Sequence, residues 1–188
     1  MTKDKGLIVT IVFLCLLSQS LLSNYSKMSF TKENILTLLE EVKDPEIPVL
    51  SLVDLGVITG VEVSEDDHVT VNMTPTFAGC PAMDYMKKDV ERTLEKHGIP
   101  NYTVNMSFDK PWDSNKLSEK GRQHLKEFGL APPPKYDLIL DLDILEHVKC
   151  PYCDSENTDL RTPFGPTLCR SMHYCNNCKQ MFEQFKPL

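Results

Sequence analysis

Apolar residues at Ile35, Leu38, Leu39 and Val42 recur at the three-and-four spacing that lines one face of a helix, so a short amphipathic helix is expected from Thr31 to about Lys43. Thr31 offers an N-cap hydroxyl, with Asn34 where a capping box would place Glu. Pro45 disfavours helical geometry at Asp44, so Asp44-Pro45-Glu46-Ile47-Pro48 reads as a stiff extended loop carrying two carboxylates. The period then changes. Leu52 to Val63 alternates and is rich in Val and Ile, Ser64 to His68 is polar, and Val69 to Met73 alternates again, which is a hairpin signal. Gly56, early in the first run, permits a bulge or a close backbone approach. Met83, Met86, Val90 and Leu94 restore the helical period between Pro81 and about His97, with Gly98 as the stop, and Asn101 to Phe108 alternates as a third strand. The order helix, strand, strand, helix, strand predicts a small α+β sandwich with its helices on one face of the sheet.

Beyond the third strand, Pro111-Trp112 precedes a helix expected from about Asn115 to Phe128, and the triple proline Pro132 to Pro134 marks a boundary. Trp112 reads as a packing residue that fastens this helix to the sheet, in preference to an aromatic ligand platform. The expected organisation is a hydrophobic segment at 1–27, an α+β domain at 28–130, a linker at 131–147 and a small cysteine-rich domain at 148–188. The linker alternates acidic and apolar residues from Asp137 to Leu145, as a partner-docking strand would.

Composition narrows the function. The chain has 188 residues, 41% of them hydrophobic, and a net charge of -7, so it can build a core but presents no basic stripe for nucleic acid. Lys3 and Lys5 precede an apolar run from Leu7 to Leu17 that resembles a signal or anchor; the Met28-Ser-Phe-Thr start equally suits a soluble protein whose first 27 residues are a mis-assigned start. The second reading is preferred, and with it a cytoplasmic location, because thiolate metal sites survive poorly in oxidising compartments.

Five of the seven cysteines lie between Cys150 and Cys178. Cys150-Pro-Tyr-Cys153 and Cys175-Asn-Asn-Cys178 are two knuckles at the separation of a zinc ribbon, and a tail this short needs such a crosslink to fold. Structural zinc is the expectation; a rubredoxin-type iron, an iron-sulfur cluster or a pair of redox dithiols are the alternatives. Cys169 is a spare thiol, a buried residue or a replacement ligand, and His173 is an additional ligand candidate or a surface residue of the ribbon. Earlier in the chain, Gly79 and Pro81 place Cys80 at the start of the second helix, where unpaired amides favour the thiolate. A cysteine that only packs is the competing reading.

The tail, from Cys150-Pro-Tyr-Cys-Asp-Ser through Phe164-Gly-Pro-Thr-Leu-Cys169 to Phe182-Glu-Gln-Phe-Lys186, resembles the PaaD family of accessory components in phenylacetyl-CoA 1,2-epoxidase (phenylacetate-CoA oxygenase) systems. Asp44-Pro-Glu-Ile-Pro48, Asp54-Leu-Gly56 and Thr74-Pro-Thr76-Phe-Ala-Gly-Cys80-Pro81 resemble the wider metal-sulfur cluster (iron-sulfur) assembly family. The resemblance implies an α+β assembly domain with a metal knuckle, serving a multicomponent di-iron oxygenase that includes an iron-sulfur reductase. It implies that Cys80 is the functional thiol, accompanied by Asp44, Glu46, Asp54 and Thr76, with contact to transient iron or iron-sulfur cargo and to iron-sulfur assembly proteins; a homodimer is compatible with it. Three functions follow: a maturation accessory of the oxygenase, a purely structural subunit of it, and a thiol-redox protein. Catalysis by the chain itself is the weakest reading, since it lacks the paired Glu-x-x-His motifs of bundle di-iron sites and any Gly-x-Gly-x-x-Gly or Walker pattern.

Overall fold

The computed structural model describes residues 30–77, 80–135 and 148–187; the segment 1–27, Gly79 and the Asp137 to Leu145 alternation lie outside them. Helix α1 spans Lys32–Leu39, and Thr31 caps it as expected, its hydroxyl accepting from the Asn34 amide at 3.2 Å. It stops short of Lys43 because the next residues pair with the far side of the proline loop: the Asp44 amide donates to the Leu50 carbonyl and the Leu52 amide to the Val42 carbonyl, both at 2.9 Å. Ile35, Leu39 and Val42 are buried, as the periodicity requires.

Strands β1 (Ile58–Val63) and β2 (Val69–Met73) form the hairpin, and β3 (Tyr102–Met106) pairs parallel to β2 after a crossover through helix α2 (Met83–Lys96). The four buried residues of α2 are Met83, Met86, Val90 and Leu94, the face read from the sequence. Each such side chain, fully buried, contributes about 1.5–3 kcal/mol. Strand β1 starts later than Leu52 because Ser51 to Gly56 is spent on turns, with the Leu55 amide donating to the Ser51 carbonyl at 2.8 Å. Gly56 sits at φ +73°, and a Cβ there would meet Lys116 at 2.7 Å, so the close backbone approach is real and requires glycine.

The helix expected over Asn115 to Phe128 divides into a 3-10 turn at Ser114–Lys116 and helix α3 at Glu119–Glu127. Ser118 breaks the run by capping α3, accepting from the Gly121 amide at 2.8 Å. Strand β4 (Leu130–Ala131) then pairs parallel with β7 (Met181–Phe185), completing a second sheet of order β4-β7-β6-β5 with β5 (Thr158–Thr162) and β6 (Arg170–Cys175). Ala131, first residue of the expected linker, is thus a strand residue only 1% exposed. Trp112 is buried, as a packing residue should be, but the contacts it makes tie the turn before β1 to β7: Nε1 donates to the Leu55 carbonyl at 2.9 Å while the ring meets Phe185 edge-on at 5.9 Å. The described residues from Thr31 onward form one compact unit, and among the described residues no helix is long and apolar enough to cross a membrane.

Candidate functional site

Asp44 organises the loop it opens. Its Oδ1 accepts from the Glu46 and Ile47 amides, both at 2.9 Å, a side-chain turn that holds Pro45 and Glu46 at the surface. Thr76 lies on the segment leaving β2, and Cys80 follows two residues ahead of Ala82, the N-cap of α2, with its own amide on the Phe77 carbonyl at 3.3 Å. From the second sheet, the connection between β5 and β6 brings Thr167 and Cys169, whose Oγ1 and Sγ are 3.1 Å apart. Asp44, Glu46, Thr76, Cys80, Thr167 and Cys169 all line one cavity of about 320 Å³, with Ile47, Leu55 and Phe185 in its apolar wall. Arg170 couples the two sides: Nη1 pairs with Glu183 at 2.9 Å, and Nη2 donates to the Glu46 carbonyl at 3.1 Å.

The electrostatics oppose the thiolate expected at Cys80. Burial pushes its thiol up, and Asp44, Cys169 and Glu46 add to that push, against a single favourable bond from the Ala82 amide. Burial likewise raises Cys169, with Glu46 and Asp44 adding to it and Thr167 opposing it. Asp44 is raised too, because burial outweighs the two amides it accepts from. The helix start does aim an N–H at the sulfur; desolvation and neighbouring acids win.

Asp54 is not on this cavity. It is 5% exposed and ties the turn before β1 to the cap of α3: Oδ2 accepts from Ser51 Oγ at 2.9 Å, Oδ1 from Ser118 Oγ at 2.7 Å, and its carbonyl from the Ser118 amide at 2.9 Å.

The knuckle cysteines converge separately. The Sγ atoms of Cys150, Cys153, Cys175 and Cys178 all lie within 4.8 Å of one another, with Cys150 to Cys178 and Cys153 to Cys175 both at 3.6 Å. Sulfurs at about 2.3 Å from one tetrahedral ion would stand about 3.8 Å apart, so the donor set fits such an ion. The two knuckles repeat one backbone design. The Cys150 amide donates to the Ser155 carbonyl and the Cys175 amide to the Gln180 carbonyl, and Asp154 and Lys179, each directly after its knuckle, adopt φ of 56° and 63°. Asn177 and the Ser155 amide draw Cys153 down to about 6, whereas burial and its sulfur neighbours push Cys178 up to about 12. Four sulfurs this close share thiolate charge only when a cation neutralises it.

Neither additional ligand candidate joins this cluster. Cys169 belongs to the cavity. His173 is fully buried, stacked on Phe182 at 5.4 Å with Nε2 on Ser171 Oγ at 2.8 Å, so it is neither a fifth ligand of the cluster nor a surface residue. Sequence reasoning missed Thr167 and Arg170 and left Cys169 without a place; the signal was the Phe164 to Cys169 run itself, whose residues from Gly165 onward line the cavity with Cys80.

Comparison with known proteins assigns both parts. Residues 142–186 match the PaaD zinc beta ribbon domain family, and residues 32–105 match the family of iron-sulfur cluster assembly proteins. An Escherichia coli protein named, provisionally, as the D-type component of 1,2-phenylacetyl-CoA epoxidase is 32% identical over 152 residues, covering 81% of this chain and 90% of that protein. An Fe-S protein maturation auxiliary factor of Porphyromonas gingivalis is 38% identical over 50% of this chain and 90% of its own length. One from Bacillus subtilis is 34% identical over 46% of this chain and 85% of its own.

Proposed function

The chain belongs to the PaaD family of phenylacetyl-CoA epoxidase components, and from that premise we propose that it is an accessory maturation subunit of such an epoxidase, assisting assembly of the iron-sulfur or di-iron centres of its partners. The observation that carries this reading is the convergence of Cys80, Asp44, Glu46 and Thr76, drawn from two separate segments of the assembly-protein region, on one cavity. A half-buried thiol between carboxylates offers soft and hard ligands together, which suits brief contact with iron. Cys150, Cys153, Cys175 and Cys178 hold zinc in a structural role, since four thiolates leave no open position for chemistry. The ribbon is the docking module, with Leu168, 62% exposed on the cavity's lining, and Phe164, 67% exposed on the same connection, as apolar contacts for the client. The partners are the other epoxidase subunits, its iron-sulfur reductase among them, and the site of action is the cytoplasm.

A purely structural subunit would need no such cavity. A thiol-redox role is disfavoured by a Cys80 thiol that burial and neighbouring acids keep protonated, because the thiolate is the attacking species. The test is to express the epoxidase subunits with and without this protein and to measure their iron, sulfide and activity. Lower iron and activity in its absence is the expected result; equal metal content with lower activity would favour the structural reading.

A further inference from the structure

The cavity contains a group that the maturation reading does not require, the thiol of Cys169, delivered by the ribbon. We propose that Cys80 and Cys169 together form a two-thiol landing site for a small iron-sulfur cluster, with the carboxylates of Asp44 and Glu46 beside it. This rests on the maturation reading and names its cargo.

Four observations carry the inference. First, both cysteines line the same cavity, although they are 89 positions apart and lie on connections that leave different sheets. Second, the surroundings favour a cationic, sulfur-seeking occupant: two cysteines and two acidic residues line the space, and the adjacent cation, Arg170, is engaged by Glu183 and by the Glu46 carbonyl. Third, the spread of donors is wrong for one ion. Among the described residues, the knuckle cysteines are the group of three or more donors whose atoms all lie within 4.8 Å of one another; no three of Asp44, Glu46, Cys80 and Cys169 do so. Donors that share a cavity without sharing a single coordination sphere fit an occupant with more than one metal. Fourth, there is room. Two irons and two sulfides are four atoms, in a cavity of about 320 Å³ where one water takes about 30 Å³.

Loading is a ligand exchange. As each iron-to-sulfur bond to a donor thiolate breaks, one to Cys80 or Cys169 forms, and the proton leaving Cys80 or Cys169 passes to the departing thiolate. No electron moves, and the cluster keeps its oxidation state. Burial and neighbouring acids hold both thiols protonated until the cluster arrives, so iron supplies the charge that makes the thiolates tolerable. The ribbon thereby becomes a wall of the cargo site, held in place by the Arg170 bond to the Glu46 carbonyl.

The experiment uses the full chain with its knuckles zinc-loaded, titrated anaerobically with a glutathione-ligated [2Fe-2S] cluster. Uptake is read by visible circular dichroism and by bound iron, and iodoacetamide footprinting by mass spectrometry reports the thiols. The expected result is two irons per chain, zinc retained, and Cys80 and Cys169 both alkylated more slowly than in the same chain without cluster. Cys169→Ala and Cys80→Ala should each weaken uptake at least about tenfold, since even residues behind a metal ligand cost 10–100-fold when lost. No uptake by the unaltered chain, or uptake that displaces zinc and leaves Cys80 and Cys169 open to alkylation, overturns the inference. Should Cys169→Ala bind as tightly as the unaltered chain while Cys80→Ala does not, the two-thiol site falls and the maturation role of Cys80 stands. The footprint on the unaltered chain decides the matter even if a variant fails to fold. Maturation itself falls only on the client's iron content, which this titration does not measure.

Discussion

Asp54 ties the turn before β1 to the cap of α3 through the Ser51 and Ser118 hydroxyls. Burial by itself would raise its carboxyl, but the hydroxyls of Ser118 and Ser51 and the Lys120 ammonium hold it below the usual range. Its folded-state pKa is therefore depressed, so the stabilisation is fully present above the unfolded value of about 3.9 and is lost as pH falls through the lower folded value. Asp54→Ala should cost about 1–3 kcal/mol, since it leaves the Ser51 and Ser118 hydroxyls without their acceptor. Asp54→Asn should flatten the acid limb of a stability profile taken by urea melts below about pH 5. An unchanged acid limb would show that the latch carries no charge-dependent stability. At Cys80, Cys80→Ser and Cys80→Ala should melt alike and keep the metal of the tail, while both impair maturation of the client. A cysteine that only packs predicts that Ser melts lower than Ala, because a buried hydroxyl lacks partners. The place of Cys80 was legible from Pro81 and the strand-to-helix junction; the direction of its pKa was not, because Asp44, Glu46 and Cys169 reach it through the tertiary fold.

At the level of elements, periodicity served best where one face is buried and nothing intervenes. Helix α2 and strand β2 appear where the pattern puts them. It failed where a polar side chain recaps the chain, as Ser118 does, and where pairing is too short to leave a period, as in the two-residue β4. The ribbon was legible from spacing alone, since tetrahedral coordination by two knuckles fixes which residues must recur. Replacing any of Cys150, Cys153, Cys175 or Cys178 by Ser should abolish stoichiometric metal and unfold the ribbon, because binding free energy there is folding free energy. Hydrogen exchange would show β5, β6 and β7 losing protection together; an ordered ribbon without metal would contradict the zinc assignment. Lys179→Gly, by contrast, should stabilise the metal-bound chain by up to about 1 kcal/mol, read as a raised melting temperature, since Lys179 sits at φ 63° where glycine meets no steric cost.

Across the whole molecule, the α+β part and the ribbon are fastened by contacts that no local pattern announces: β4 against β7, Trp112 on Phe185, and Arg170 on the Glu46 carbonyl. Trp112→Phe keeps most of the buried area but loses the bond to the Leu55 carbonyl, which should cost about 1–3 kcal/mol; Trp112→Ala should cost about 3–5 kcal/mol. If melting of the α+β part is unchanged in Trp112→Ala, the sheets fold independently and the cavity between them is not a designed site. The central claim is that this cavity serves the metal centres of another protein, and the most direct measurement is the iron content of the epoxidase subunits co-expressed with either the unaltered chain or its Cys80→Ser variant. The account predicts that the variant accumulates folded, with its tail metal intact, while the subunits emerge with markedly less iron; equal iron in the two preparations would contradict it.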